Sequence, residues 1–347
     1  MAKQTVYDLN KDALNDTLKS LGQPAFRTTQ ILDGLYSKLY QDFNHFANIP
    51  SSLRASLAEM FVIDPLHVED TIVSKDRLTE KVLFTLGDGL QVESVLMRYS
   101  ERNSLCISTQ VGCPMGCVFC ATGQMGYMRN LSPGEIVGQV IWAMRKLRAE
   151  DSTLTNVVYM GMGEPFLNFE GTLASIANLT NPDMLNFGSR RITVSTVGII
   201  PKIAMFAREH PQVNLAISLH SPEDLLRSEL VPANRIYPLK SLIQASRDYV
   251  ERTHRRITFE YALIQDVNDS PELALKLAGL LTGMLCHVNL IALNPSKEYA
   301  VQGSSKDRVL TFQSVLEEHG IPVTVRLRRG IEIHAGCGQL ARSRQPE

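Results

Sequence analysis

Apolar residues recur at helical spacing through the first sixty residues: Leu14, Leu18 and Leu21, then Ile31, Leu32 and Leu35, then Leu53, Leu57 and Met60. Breaks at Gly22-Gln23-Pro24 and Ile49-Pro50 divide the run into short helices. A small helical domain over 1–65 follows. From residue 66 the period shortens. Val82 to Leu86 and Val92 to Met97 flank the turn Gly87-Asp88-Gly89, which predicts a β-hairpin connector over 66–98. Beyond it, strand-like runs at Cys106 to Ser108, Asn156 to Gly161, Ile192 to Ser195, Val213 to Leu219, Ile257 to Leu263 and His287 to Leu293 alternate with amphipathic helical segments. Ser132 to Leu147 is one such segment, opened by a Ser-Pro pair with Glu135 at the third helical position, and Pro238 to Val250 is another. Strand-then-helix repetition implies a parallel sheet covered by helices. The fold class is therefore α/β, with six βα units over 99–331, enough for a partial (βα)6 TIM-like barrel, followed by a tail over 332–347. Periodicity does not separate an open sheet from a closed one.

In such folds catalytic groups gather at the C-terminal ends of the strands. Gly161-Met162-Gly163-Glu164-Pro165 follows one strand, Ser195-Thr196-Val197-Gly198 another, Ser218-Leu219-His220-Ser221 a third and Asn294-Pro295 the last. Each alone reads as an ordinary turn. Four in register around one rim, with a cysteine loop on the first strand, read as a site.

Composition narrows the class. The chain has 347 residues, 44% of them hydrophobic, enough for one large core and a smaller one. It contains no apolar run near the roughly 20 residues of a membrane span, and its start, Met-Ala-Lys-Gln-Thr, lacks an apolar signal region, so no membrane association and a cytoplasmic address are expected. A formal net charge of −1 means that any RNA binding must rest on local basic patches. Candidates are Arg252 to Arg256, Arg326 to Arg329, and Arg145, Lys146 and Arg148; each alone equally suits a solvated face.

Cys113, Cys117 and Cys120 form a C-x3-C-x2-C run with no fourth cysteine nearby. A closed metal site wants four protein ligands, so three thiolates leave one coordination position for something that is not protein. Close spacing in a large chain without a secretory signal points to metal or redox chemistry and away from a disulfide framework. Zinc is the bland alternative, with His220, His287 or Cys106 as a fourth ligand, although none stands at zinc-finger spacing. It would make the chain a zinc-stabilised RNA-binding protein without catalysis. The cluster, with Phe119 before its third cysteine, resembles that of the radical S-adenosylmethionine (AdoMet) enzymes, whose open iron is chelated by the cofactor.

The resemblance extends over nearly the whole chain to the RlmN-type adenine-C2 RNA methyltransferases, sisters of the Cfr-type adenine-C8 enzymes that confer ribosomal antibiotic resistance. It is carried by Pro24-Ala25-Phe26-Arg27, Val92-Glu93, Leu105-Cys106, the cluster followed by Ala121-Thr122-Gly123, Gly161 to Pro165, Ser218 to Ser221, His287 to Asn289, and Gly336-Cys337-Gly338-Gln339-Leu340. It implies a partial radical-AdoMet barrel with an N-terminal RNA-binding domain, a [4Fe-4S] cluster on Cys113, Cys117 and Cys120, and two AdoMet molecules per turnover. Implied substrates are 23S rRNA in its peptidyl-transferase region and tRNA beside the anticodon. Implied too are an electron donor such as flavodoxin or ferredoxin, and a monomer.

Adenine C2 is electron-poor and has no lone pair, so it cannot attack a sulfonium methyl, and a radical route is needed. By resemblance, Cys337 takes a methyl group as S-methylcysteine. Cys106 resolves the enzyme–RNA joint, leaving a transient Cys106–Cys337 disulfide, and Glu93 is the proton acceptor. AdoMet is implied to contact Gly163, Glu164, Ser195, Ser218, Leu219, His220 and Asn294. Without the resemblance, Cys106 beside Leu105 and Ile107 reads as a buried small hydrophobe, and Cys286 matches no motif. Two departures stand out: Gly336 replaces the family's usual alanine, which predicts a looser loop around Cys337, and Glu332 replaces aspartate. Phe166-Leu167-Asn168 leans toward the C2 type, while Pro211 to Leu215 and the Ser-Pro after His220 lean toward C8.

Overall fold

The computed structural model describes residues 3–294, 301–326, 330–336 and 338–340. Cys337, Pro295 and Leu327 to Arg329 lie outside the described residues.

The first break read from the N-terminal stretch separates its first two helices, and the second stands immediately before its third. β1 (Gln4–Thr5) precedes α1 (Lys11–Ser20), α2 (Phe26–Leu32) and α3 (Ser51–Met60), and β2 (Phe61–Val62) pairs back in parallel with β1. Asn10 caps α1 by accepting from the Ala13 N–H. Tyr7, Leu14, Ile31, Phe46 and Leu57 form the domain's buried centre.

β3 (Leu66–Val73), β4 (Thr79–Leu86) and β5 (Gln91–Arg98) form an antiparallel meander, with the predicted Gly87-Asp88-Gly89 turn between β4 and β5. The meander is continuous with the main sheet. β5 pairs antiparallel with β6 (Asn103–Ile107), the first strand of the parallel set. A short antiparallel pair, β7 (Gln110–Gly112) and β8 (Tyr127–Asn130), brackets the cysteine loop and the single turn α4 (Ala121–Gln124). α5 (Pro133–Ala149) then starts at the capping box read from Ser132 and Glu135.

Strand and helix alternate from there: β9 (Asn156–Tyr159), α6 (Phe169–Thr180), β10 (Ile192–Thr196), α7 (Ile200–Glu209), β11 (Asn214–Ser218), α8 (Asp224–Leu230), α9 (Leu239–Thr253), β12 (Ile257–Leu263), α10 (Pro271–Leu281), β13 (Cys286–Ala292), α11 (Lys306–Glu318) and β14 (Val323–Val325). The sheet order is β14-β13-β12-β11-β10-β9-β6-β5-β4-β3, parallel from β6 through β14 and antiparallel from β6 to β3. β3 and β14 are its two edges, so the barrel is open. The six strands read from the sequence are present, and β14, three residues long, was too short to read.

Burial alternates along β10 and β13. In β13, Cys286, Val288 and Leu290 face the helices and are buried, while His287 and Asn289 face inward. A filled TIM barrel has apolar inward layers. This one has a polar lumen, which makes its interior a place for ligands. No described helix is long and apolar enough to cross a membrane.

Candidate active site

The cysteine loop leaves the top of β6 and is held by hydrogen bonds that the local sequence does not announce. The Ser108 hydroxyl donates to the Glu93 carbonyl (2.6 Å) and accepts from the Met162 N–H (2.8 Å). Gln139 of α5 accepts from the Ser108 N–H (2.8 Å) and the Ser94 hydroxyl (2.6 Å) and donates to the Ser108 carbonyl (2.9 Å). β5, β6 and the loop after β9 are thereby locked in register.

Cys113, Cys117 and Cys120 face a cavity of about 150 Å³ at the C-terminal ends of the strands, shared with Glu164, Ser195, Ser218 and His220. Burial, the largest cause, pushes the Cys113 thiol up to about 12 and the Cys117 thiol well above its ordinary value; neighbouring thiolates and Glu164 add to it. Soft sulfur ligands that burial keeps protonated become thiolates when a metal centre replaces the protons. Among the described residues no three His, Cys, Asp or Glu side chains converge on one metal ion. An iron–sulfur cluster spreads its thiolates over separate irons and does not need them gathered on one. The donor set and its burial therefore fit the three-thiolate cluster. His287, one of the zinc alternatives, lies elsewhere in the lumen, bonded to Thr324 (2.9 Å).

Glu164 is buried, with one carboxylate oxygen accepting from the Phe166 N–H (2.9 Å) and the other from the Val197 N–H (2.9 Å). Burial raises its pKa to about 7 despite those two bonds. Gly163 lies beside it on the wall, and the Ser195 and Ser218 hydroxyls meet at 3.3 Å across β10 and β11. His220 has φ 61°. Its Nδ1 accepts from the Ala262 N–H (3.0 Å), which leaves the ring proton on Nε2, and burial depresses its pKa to about 3, so it is a neutral donor. Phe119 packs edge-on against it, with centroids 4.8 Å apart.

Two expected AdoMet contacts sit differently. Leu219, the residue after β11, is fully buried and does not line the cavity; its carbonyl accepts from Arg227 Nε (3.0 Å) and its N–H donates to the Glu260 carbonyl (3.0 Å). Asn294 lines an adjoining cavity of about 300 Å³.

That second cavity takes in Cys106 and one chain neighbour of position 337. Cys106, half-buried on the lumen face of β6, lines it together with Val95, Met97, Asn294 and Gly336. The C-terminal motif is fastened beside it: the Ala121 N–H donates to the Gly338 carbonyl (2.8 Å) and the Thr122 hydroxyl to the Leu340 carbonyl (2.6 Å). Residues on both sides of position 337 thus border the two cavities. No disulfide forms among the described residues. Gly336 does not loosen this loop. Its N–H donates to Gln339 Oε1 (3.0 Å), and Asn294 packs so closely that an alanine Cβ would overlap its amide. Glu332 accepts from the Lys75 N–H (3.2 Å).

Glu93 lies on the same face of β5 as Val95 and Met97, fully buried, and lines neither cavity; Lys81 of β4 pairs with it at 3.1 Å. Cys286 is core, as read.

Sequence reasoning missed Arg227. Fully buried on α8, it donates to the carbonyls of Leu219 (3.0 Å), Val197 (2.7 Å) and Ser218 (3.1 Å) and to Asn234 Oδ1 (2.7 Å), behind Cys117. In Leu-Leu-Arg-Ser-Glu-Leu nothing distinguishes it from a surface arginine. Lys81, Gln139 and Gln110, whose Oε1 accepts from the Glu164 N–H (2.8 Å), were equally silent.

With this geometry in hand, comparisons with known proteins converge. Residues 107–278 match the model of the Radical SAM superfamily, and residues 5–63 that of the Ribosomal RNA large subunit methyltransferase N-terminal domain. The chain is 47% identical to the "Probable dual-specificity RNA methyltransferase RlmN" of Chloroflexus aurantiacus, over 98% of this chain and 93% of the relative. It is 44% identical to the protein of that name from Roseiflexus sp., over 98% and 96%. A crystal structure of a radical SAM methyltransferase from Sphaerobacter thermophilus superposes with TM-score 0.95 at 49% identity, covering 97% of this chain and 99% of that one.

Proposed function

Since the chain belongs to the RlmN family of radical AdoMet RNA methyltransferases, we propose that it methylates adenine C2 in 23S rRNA, in the peptidyl-transferase region, and in tRNA beside the anticodon. The observation that carries the chemistry is the cavity shared by Cys106 and Gly336, with the motif around position 337 fastened to the turn that follows the cluster cysteines.

Cys113, Cys117 and Cys120 would hold the [4Fe-4S] cluster, and Gly163, Glu164, Ser195, Ser218 and His220 would hold AdoMet, with the backbone of Leu219 and the amide of Asn294 at its margins. Together these groups supply an electrophilic methyl and, at the expense of a second AdoMet, a primary carbon radical. The Glu164 carboxylate suits an ammonium and the His220 Nε2–H suits a carboxylate or ring acceptor. Cys337 accepts the methyl group on Sγ. After the carbon joins the base, Glu93 removes the proton from the modified carbon, which requires it to gain access from beneath Val95 and to leave Lys81 as its counter-charge. The unpaired electron left by the radical addition would return to the redox centre that Cys113, Cys117 and Cys120 hold; Cys106 then attacks the Cys337 sulfur, an S–S bond forms, the S–C bond breaks, and its electron pair stays with the new methyl group, which takes up a proton. Two reducing equivalents return the disulfide to thiols. The expected reductant for the cluster is a flavodoxin or ferredoxin, and the expected working form is a monomer.

The test is nucleoside mass spectrometry after anaerobic turnover of reconstituted enzyme with AdoMet, reductant and a 23S rRNA fragment, beside Cys337→Ala. 2-Methyladenosine with the wild type and none with the variant is expected. 8-Methyladenosine would move the assignment to the C8 type, and iron with cofactor cleavage but no methyladenosine would make the substrate wrong.

A further inference from the structure

The lumen continues below the catalytic cavities into a third chamber of about 660 Å³ at the N-terminal ends of the parallel strands. Its charge is one-sided. Arg102, Arg190, Arg255, Arg256 and Arg326 line it against one carboxylate, Glu260, in a chain whose formal net charge is −1. Topology concentrates them there. Arg102 immediately precedes β6, Arg190 and Arg191 precede β10, and His254-Arg255-Arg256 precede β12, so separate strand entries deliver cations to one mouth.

Most of these cations are uncompensated. Arg326 faces Glu260 at 3.5 Å, as Arg98, Arg129, Arg145 and Arg308 face carboxylates elsewhere. Among the described residues no carboxylate pairs with Arg102, Arg190, Arg255 or Arg256. Neutral partners hold two of them: Arg190 donates to Gln212 (3.2 Å) and Arg255 to Asn214 (2.6 Å). The Arg255 Nε is buried with no hydrogen-bond partner among the described residues, a donor that a ligand acceptor would satisfy.

The mouth also leads to the chemistry. Along β9 and the residue that follows it, Asn156 lines the basic chamber, Val158 lines this chamber and the Cys106 chamber, and Met160 lines all three. On β6, Ser104 lines the basic chamber and Cys106 the next. At roughly 3.3 Å per residue, Asn156 to Met160 spans about 13 Å, of the order of one nucleotide from its phosphate to the far edge of its base. Tyr99, with the Arg102 guanidinium 4.5 Å over its ring, borders both lower chambers and offers a stacking plane.

Resting on the RNA methyltransferase reading above, we infer that RNA approaches through this mouth: Arg190, Arg255 and Arg256 hold backbone phosphates of the single-stranded segment while the extruded adenine rises past Tyr99 to Cys106. Phosphate contacts position the strand, and the lumen selects a base already out of its stack.

The test measures binding of the 23S rRNA fragment as a function of salt for the wild type, Arg190→Gln with Arg256→Gln, the same pair changed to Lys, and Arg208→Gln on an exposed helix face as control. Both mouth arginines are exposed, so the fold tolerates the changes. The Gln pair should weaken binding at least about tenfold and reduce the slope of log K against log salt by roughly 1.4, the value for two single-strand phosphates. The Lys pair and the control should keep the wild-type slope. Wild-type affinity and slope in the Gln pair, with methylation by the wild type intact, would overturn the entry route alone. Loss of tripolyphosphate binding without loss of RNA binding would make the mouth a small-anion site and also overturn it. A wild type that neither binds nor methylates the fragment fails the functional reading and takes this inference with it.

Discussion

Glu164 carries the clearest pH signature at the scale of a residue. Its pKa, about 7 in the folded protein against 4.5 ordinarily, means that burial favours the protonated form. The stability gained from that protonation is present in acid and is lost as pH rises through 7, unless a cation pairs with the carboxylate. An AdoMet ammonium would supply that cation. Affinity should therefore rise with pH from 6 to 7.5, and AdoMet should raise the melting temperature more at pH 7.5 than at pH 6. Glu164→Gln should flatten both dependences and weaken binding by about 1.5–3 kcal/mol, the value of a hydrogen bond to a charged group. Calorimetric titration across this range checks it, and an unchanged profile in the variant would remove Glu164 from the ammonium site. The motif marked Glu164 as a candidate from its place after a strand. Its two backbone donors, from Phe166 and Val197, come from different loops and were not legible.

The β7–β8 pair is the element that shapes the cysteine loop. Gly112 has φ 74°, and a Cβ there would run into the Gly126 carbonyl, the acceptor for the Cys113 N–H at 2.8 Å. Gly112→Ala must therefore part the two strands and shift Cys113, costing about 3 kcal/mol or more and lowering iron per chain. Gly126 has φ 77° but open space around its would-be Cβ, so Gly126→Ala should cost only about 1 kcal/mol of backbone strain and retain its iron. Iron analysis with thermal melts separates the two; equal iron loss in both would refute the steric account. At this scale the reading of the chain did well where periodicity was long. α5 and its capping box, the hairpin and β12 lie where the residues predict, while β14 and β8 are too short to leave a period.

Across the whole molecule, the basic run Arg145, Lys146 and Arg148 turns out to join domains. Arg145 donates to the carbonyls of Leu39 (2.9 Å) and Tyr40 (2.6 Å) and pairs with Asp64. Arg148 donates to Ser37 and Lys38, and Lys146 pairs with Glu80. At the other end of α5 the Gly134 N–H donates to Asp8 (2.7 Å), so one helix fastens the N-terminal domain along its length. Arg145→Met would strip donors from two carbonyls and a carboxylate and should destabilise that docking by about 2–3 kcal/mol. Hydrogen exchange should then quicken across α2 and α3 but not across β12 and β13, whose core does not involve the contact. Uniform exchange throughout would show that the two domains unfold as one.

The sequence by itself determined what short-range chemistry can encode. Helical and strand periods, caps and turns set the order of elements, and the C-x3-C-x2-C run named its own chemistry because all three ligands lie in one loop. Tertiary structure decided what depends on distance through space. Whether the sheet closes is a matter of its edges. Whether Arg145 meets RNA or a neighbouring domain depends on what packs against α5. The polar lumen, the buried Arg227 behind Cys117, and the gathering of Arg190, Arg255 and Arg256 at one mouth arise only when strands far apart in sequence lie side by side, because each residue then acquires neighbours that no local window contains.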